Sequence, residues 1–320
     1  MEHQLVDVSH KAVDDERFPR SVGIRSQTLK LCFASPAIKG RFLSPTLSFS
    51  KMIDIINKRF NASLPRPIAH QANIGDTLSI IYSPFYFDGR LVDAILNQPV
   101  TKKLPDDFNI SVYTANRLDW NDRFLPTLSP NCGWDLKWQR DSLVLGCENC
   151  KAVYKPNKNG FSKLTAVHIT GEKENLRYLP FWRIKADISG ISLNSYADLV
   201  REANLPKTVQ PGMPDPEFHF WAPAFKFRPR FFIQLSQTMT VAQPAGKFFR
   251  GIPNSNLHPV NLTLKEGLES LKLTLSGMIK HRQKVISILP NIQITPKRFV
   301  LVYLPFVENQ HDWIQPLMNV

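Results

Sequence analysis

Two short cysteine-bearing turns constrain this 320-residue chain more than any other stretch: Ser129-Pro130-Asn131-Cys132-Gly133-Trp134 and Cys147-Glu148-Asn149-Cys150. Three of the four cysteines in the sequence lie here. Two such turns, facing each other from the ends of a hairpin, gather their side chains around one point, the arrangement that suits a tetrahedral ion. Pro130 and Gly133 are residues that shape a tight turn. Leu143-Val144-Leu145 reads as a strand and Lys137 to Ser142 as a polar turn, so the segment is expected to form a β-hairpin. Fourteen residues separate Cys132 from Cys147, just short of the usual window for a four-cysteine site. One corner departs from the pattern. Ser129 stands where a fourth thiol would be, and a neutral hydroxyl is a poor ligand for a metal that takes thiolate or imidazole.

The pattern resembles that of zinc-ribbon proteins, Cys-Pro-x-Cys-Gly-Trp followed by Cys-x-x-Cys, over Ser129 to Tyr154. The resemblance implies zinc as cofactor and Cys132, Cys147 and Cys150 as its ligands, completed by water or by a histidine from elsewhere such as His168. The residues leave a second reading open: a metal-free hairpin held by packing of Trp134, Leu136, Trp138 and Leu145. Cys32, in Leu31-Cys32-Phe33, has apolar neighbours and reads as a buried, inert thiol.

An apolar, aromatic-rich run leading into proline recurs four times. The copies are Ile80 to Tyr86 around Pro84, Tyr178 to Trp182 around Pro180, Phe220 to Phe225 around Pro223, and Leu301 to Phe306 around Pro305. Proline removes a donor from a strand ladder, so each copy is expected to mark a bend or bulge. Helical patterns follow the first three: Leu91 to Leu96, then Tyr196 to Arg201 after Asn194 or Ser195, then Arg230 to Met239 opened by Pro229. Two more helices are expected. One covers Ser48 to Phe60 with Met52, Ile53, Ile56 and Phe60 on one face. The other begins at the capping box Thr263 to Glu266, with Leu264, Leu268, Leu271, Leu275 and Met278 repeating at helical spacing, and carries Lys280 to Lys284 in its last turns. Leu29 to Phe33 reads as a strand, Leu205 to Glu217 and Val241 to Pro259 as Pro/Gly-rich linkers, and residues 1–20 as a polar, frayed start.

These elements predict an α+β fold with mixed or antiparallel sheets built from repeated strand-proline-aromatic and helix units. The expected organisation is an N-terminal α+β unit over 1–125, a ribbon-like hairpin insertion over 126–158, and a C-terminal α+β domain over 159–320.

Forty basic and 27 acidic side chains leave a net charge of +13, most of it in the C-terminal half. Such a field attracts nucleic acid, acidic proteins or anionic lipid. No run of eighteen apolar residues occurs, and Met1 to Asp7 lacks a basic region followed by an apolar stretch, so neither a membrane span nor a cleaved leader is expected. Reduced Cys-x-x-Cys thiols fit a cytoplasmic location.

Phosphate-cradling glycine loops, nucleophile elbows and His-Glu-x-x-His are absent from the sequence. Asp119, Asp122 and Asp135 form a loop-like acidic group of ordinary spacing. The chain is therefore expected to be non-catalytic, a scaffold whose hairpin and aromatic-rich strands dock partner proteins. One alternative is a nucleic-acid-binding accessory protein, with Trp182-Arg183, Lys226-Phe227-Arg228 and Phe248-Phe249-Arg250 offering rings beside cations. Another is a zinc enzyme with an open three-cysteine site and Asp135 or Glu148 as base.

Overall fold

The computed structural model describes residues 10–19, 30, 32, 38–62, 70–75, 79–115, 124–137, 139–173, 175–191, 193, 195–203, 217–254, 256–279, 287–308 and 313–314. The chain divides into two compact units, Met1–Ile68 with Thr77–Arg123, and Ala69–Asp76 with Phe124–Val320. The fold is α+β, with antiparallel and mixed sheets.

The first unit contains β1 (Phe42–Leu43), helix α1 (Phe49–Ala62), β2 (Phe85–Phe87), β3 (Leu91–Asp93), β4 (Gln98–Pro99) and β5 (Thr114–Ala115). β1 pairs with β5, and β2, β3 and β4 form an antiparallel meander. Helix α1 starts where the Ser48 hydroxyl accepts the Lys51 N–H at 3.3 Å. Its expected apolar face is only half-buried.

Four expectations are corrected in this unit. Residues 10–19 are not frayed: Val13 and Phe18 sit in a core with Leu91, Leu104 and Phe108. The Ala12 carbonyl accepts from Thr46 and Leu47, and Arg17 bonds Asp15 and Tyr113 while lying over the Phe108 ring. Leu91 to Leu96 is a strand and turn rather than a helix. Leu91 and Val92 pair with Phe87 and Tyr86, and the Asp93 carboxylate takes the Ile95 and Leu96 N–H groups at 2.8 and 3.1 Å, the local competition by which aspartate diverts a chain from helix. The strand of the first proline copy follows Pro84 instead of preceding it, and Ile80 and Ile81 are exposed. Cys32 is likewise exposed rather than buried, and most of the Leu29 to Phe33 stretch falls outside the described residues.

The second unit carries β6 (Leu136–Lys137), β7 (Leu145–Cys147), β8 (Val153–Asn157), β9 (Gly160–Leu164), β10 (Ala166–Ile169), β11 (Leu176–Ser189), α2 (Tyr196–Glu202), β12 (Phe220–Pro223), α3 (Pro229–Ala242), β13 (Phe248–Arg250), α4 (Leu264–Glu269), α5 (Leu271–Met278), β14 (Gln293–Glu308) and β15 (Trp313–Ile314). β6 to β9 form a four-stranded antiparallel sheet. The larger sheet runs β12-β11-β14-β10-β13, with β15 on β14. Only β10 against β14 is parallel.

The long antiparallel pair β11/β14 is the axis of this sheet. The sequence Tyr-Leu-Pro-Phe occurs in both strands, and the two copies pair with each other: Tyr178 faces Pro305, Leu179 faces Leu304 and Pro180 faces Tyr303. A local dyad passes through the two leucines. The prolines sit where their missing N–H costs the pair nothing. The Pro180 carbonyl accepts from Ala224 at 2.9 Å, so its nitrogen faces the β12 side, away from β14. By the same alternation Pro305 faces away from β11, and it lies just past Tyr303, the last residue of β14 paired with β10. Pro223 pairs with Phe181 on the edge strand β12. The proline copies in β11 and β14 therefore continue the strand rather than break it. A register shift does occur in this pair, farther along, between Lys185 and Ala186.

Period-two alternation gives the sheet two buried faces. Leu179, Phe181, Val302, Leu304 and Phe306 pack with Trp221, Phe225 and Met239 on the α3 side. Tyr178, Trp182, Ile184, Leu301 and Tyr303 pack on the other side with Leu199, Leu271, Leu275, Val144 and Val153. The helix starts are those predicted. Ser195 with Asp198 and Thr263 with Glu266 form capping boxes, and Pro229 is the first residue of α3. The long Thr263 helix is interrupted at Ser270 and ends at Met278, and Lys280 to Lys284 lie outside the described residues. Most of Leu205 to Glu217 does too. Val241 to Pro259 is not a plain linker: it contains β13, which pairs with β10 at Val167↔Arg250, His168↔Phe249 and Ile169↔Phe248.

Among the described residues, no helix is long and apolar enough to cross a membrane.

Candidate metal centre

The first cysteine turn is closed by the Ser129 N–H on the Trp134 carbonyl at 2.7 Å and the Gly133 N–H on the Ser129 carbonyl at 2.8 Å. Gly133 takes φ of 70°, a left-handed conformation that glycine adopts without strain. The second turn is closed by the Cys147 N–H on the Ala152 carbonyl at 2.9 Å. β6 and β7 pair antiparallel through Leu136↔Cys147 and Lys137↔Gly146, and β7 pairs with β8 through Leu145↔Tyr154. This pairing brings the two turns together. Backbone bonds from Leu143 to Val260 at 2.6 Å and from Ile252 to Lys151 at 3.1 Å fasten the segment to the rest of its unit.

The three sulfurs converge. Cys132 Sγ lies 3.5 Å from Cys147 Sγ, and all three thiol sulfurs fall within 4.8 Å of one another. A zinc ion about 2.3 Å from each sulfur separates neighbouring sulfurs by about 3.8 Å, and separates a sulfur from an oxygen ligand at about 2.0 Å by about 3.5 Å. The Ser129 Oγ lies 3.6 Å from Cys150 Sγ, which is the sulfur–oxygen spacing of such a tetrahedron. Three cysteines arranged this way are compatible with a metal site.

Ser129 is 3% exposed, and its Oγ also lies 3.5 Å from the Tyr154 hydroxyl. The fourth corner is thus enclosed by serine and tyrosine. Cys147 is fully buried, Cys150 half-buried and Cys132 exposed. The Ser129 hydroxyl and the Trp134 backbone hold the Cys132 thiol below its ordinary range. Burial pushes Cys147 up. Burial also opposes ionisation of Cys150, but the Ala152 backbone, Ser129 and Asn131 outweigh it and bring that thiol to about 6. Local hydrogen bonds thus favour the thiolate form at Cys132 and Cys150, the form in which a cysteine holds a metal.

The other candidates named from sequence stand apart. His168 bonds the Gly251 carbonyl through Nδ1 at 2.9 Å and stacks on Phe249, and it is not part of the cysteine group. Glu148 is paired with Lys137 at 2.7 Å. Asp135 is exposed and bridges Leu128 in the backbone, while Asp119 and Asp122 lie outside the described residues. Leu136 and Leu145 pack as expected, with Tyr154 and Phe161. Trp134 does not: it is 57% exposed, and Trp138 lies outside the described residues. Tyr154 was not singled out in the sequence. Its signal is the period-two placement of Ala152 and Tyr154, both of which are buried. No protein-family model matches this sequence, no curated protein matches it, and no solved structure matches the fold.

Proposed function

We propose that the chain is a non-catalytic docking protein in which one zinc ion, held by Cys132, Cys147 and Cys150, stiffens a ribbon-like prong that a partner protein grips. The observation that carries this reading is the convergence of three sulfurs within 4.8 Å of one another, with the Ser129 oxygen 3.6 Å from the Cys150 sulfur. A fourth corner enclosed by Ser129 and Tyr154 favours a structural ion over an open catalytic one, which keeps a coordination position for water or substrate. Glu148, one of the two bases such an enzyme would draw on, is instead paired with Lys137 at 2.7 Å.

The prong also displays apolar side chains to solvent. Phe124, Leu128 and Trp134 are all exposed around the first turn. Clustered apolar exposure of this kind marks interaction surfaces, and an exposed tryptophan is a typical binding anchor. Beside the prong, an open groove is lined by Lys137, Val144, Glu148, Ile252, Asn254 and Tyr303.

Two measurements test the reading. Elemental analysis of protein purified under reducing conditions is expected to give about one zinc per chain, falling to a trace in Cys147→Ala; no zinc in either would overturn the metal. A photo-crosslinking amino acid at position 134 is expected to trap one partner at fixed stoichiometry, while the same probe at Lys155 traps none. Equal, heterogeneous labelling from both positions would overturn the docking surface.

A further inference from the structure

We infer that the exposed stretch Lys226 to Phe231, where β12 hands over to α3, is a binding platform for single-stranded nucleic acid. Every residue from Lys226 to Phe231 is exposed, although the flanking Phe225 and Phe232 are buried. Phe227 and Phe231 remain 49% and 45% exposed, and their rings meet at 5.7 Å. Phe227 also rests on buried Phe225 at 6.0 Å, so the pair is anchored from below.

Cations alternate with these rings: Lys226, Arg228 and Arg230. None of the three has a carboxylate partner among the described residues. Other cations of the same unit do have carboxylate partners: Glu217 serves Lys185 and Arg298, and Asp187 serves Lys297. Three cations within five residues repel one another, and an anionic partner relieves that repulsion. A chain that offers a negative charge at each step and a flat ring to lay on phenyl is single-stranded nucleic acid, whose bases stack on aromatic side chains while basic groups track the phosphates.

The half-exposed rings decide between this and an anionic membrane. Each ring rests on a neighbour instead of standing clear, which suits a stacking surface better than a wedge entering acyl chains. Cations and exposed rings also meet on β13, where Lys247 lies 5.3 Å over Phe249 and Arg183 lies 5.4 Å over Phe248. The platform is separate from the cysteine centre and does not depend on it.

The test is fluorescence anisotropy of a labelled twenty-nucleotide oligothymidine with the full chain, titrated between 50 and 300 mM salt. Saturable binding that weakens with salt is expected. Phe227→Ala is expected to lower affinity about tenfold with little change in salt slope, and Phe227→Trp to retain it. The double variant Arg228→Ala/Arg230→Ala is expected to reduce the slope by about 1.4, two phosphates at about 0.7 each. No saturable binding at 50 mM salt, or binding indifferent to both sets of substitutions, would overturn the inference. So would binding to phosphatidylserine vesicles that depends on Phe227 and Arg228 while the oligonucleotide is ignored.

Discussion

Restoring the missing thiol should tighten metal binding. In Ser129→Cys a sulfur replaces an oxygen that already lies 3.6 Å from Cys150 Sγ. Because a zinc–sulfur bond is longer than a zinc–oxygen bond by about 0.2 to 0.3 Å, the new ligand needs only a small outward shift, against Tyr154. Structural zinc contributes about 10 to 16 kcal/mol through four ligands, or about 3 kcal/mol for each. The serine oxygen supplies part of that, so the exchange is worth about 1.5 to 3 kcal/mol, a gain of about ten- to a hundredfold in affinity. Competition against a chromophoric chelator at neutral pH under reductant reads the dissociation constant. Cobalt substitution reads the donor set through the shift of its ligand-field bands. Unchanged affinity in Ser129→Cys, with unchanged cobalt bands, would refute the placement of Ser129 at the fourth corner, and with it the tetrahedron drawn through the three sulfurs.

Three further outcomes follow from the packing of the second unit. Burial holds both His219 and His258 near 4, against 6.5 when solvated, with Arg183 and Arg177 adding to the effect. On acidification the unfolded chain is protonated first, so stability is full above about pH 6.5 and is lost between 6.5 and 4, by about 1 to 2 kcal/mol for each histidine after solvent screening. Denaturant midpoints measured from pH 7 to 4 should fall accordingly, with a flatter profile in His258→Asn. At Gly251, with φ of 82°, an added Cβ would lie 2.2 Å from the Lys151 carbonyl oxygen, so Gly251→Ala should lower stability by more than about 2 kcal/mol and loosen the prong to proteolysis. Pro180→Ala should shift stability by less than about 1 kcal/mol, whereas Leu304→Ala, which empties a fully buried site, should cost about 3 kcal/mol in the same assay.

What the sequence announced was chemistry that acts within a few residues. The capping boxes at Ser195 and Thr263, Pro229 at a helix start and the two cysteine turns need no distant partner to be recognised. The errors fall where a partner decides. Lys247 to Arg250 sits among prolines and glycines and reads as linker, yet β10 recruits it as an edge strand. Leu91 to Leu96 has helical spacing, but pairing with β2 and the Asp93 side chain take it elsewhere. Val13 and Phe18 look like isolated apolar residues in a polar start until the first unit closes over them. At the candidate metal centre the cysteine cluster was legible from spacing, because Cys147 and Cys150 share one turn and Cys132 sits on a second turn like it. The enclosure of Ser129 by Tyr154 was not, since it depends on how β7 lies against β8.

The mirrored Tyr-Leu-Pro-Phe segments of β11 and β14 have a consequence for how the chain avoids mispairing. Sliding one strand past the other by a single residue restores the ladder only if one of them rolls over about its own axis. Whichever strand rolls turns a ring nitrogen without hydrogen into the seam, and exchanges the side chains that fill the two buried faces. Each proline thus acts as a key cut for one alignment. The longest pairing among the described residues, formed between segments more than a hundred residues apart, carries its own check against a slipped closure.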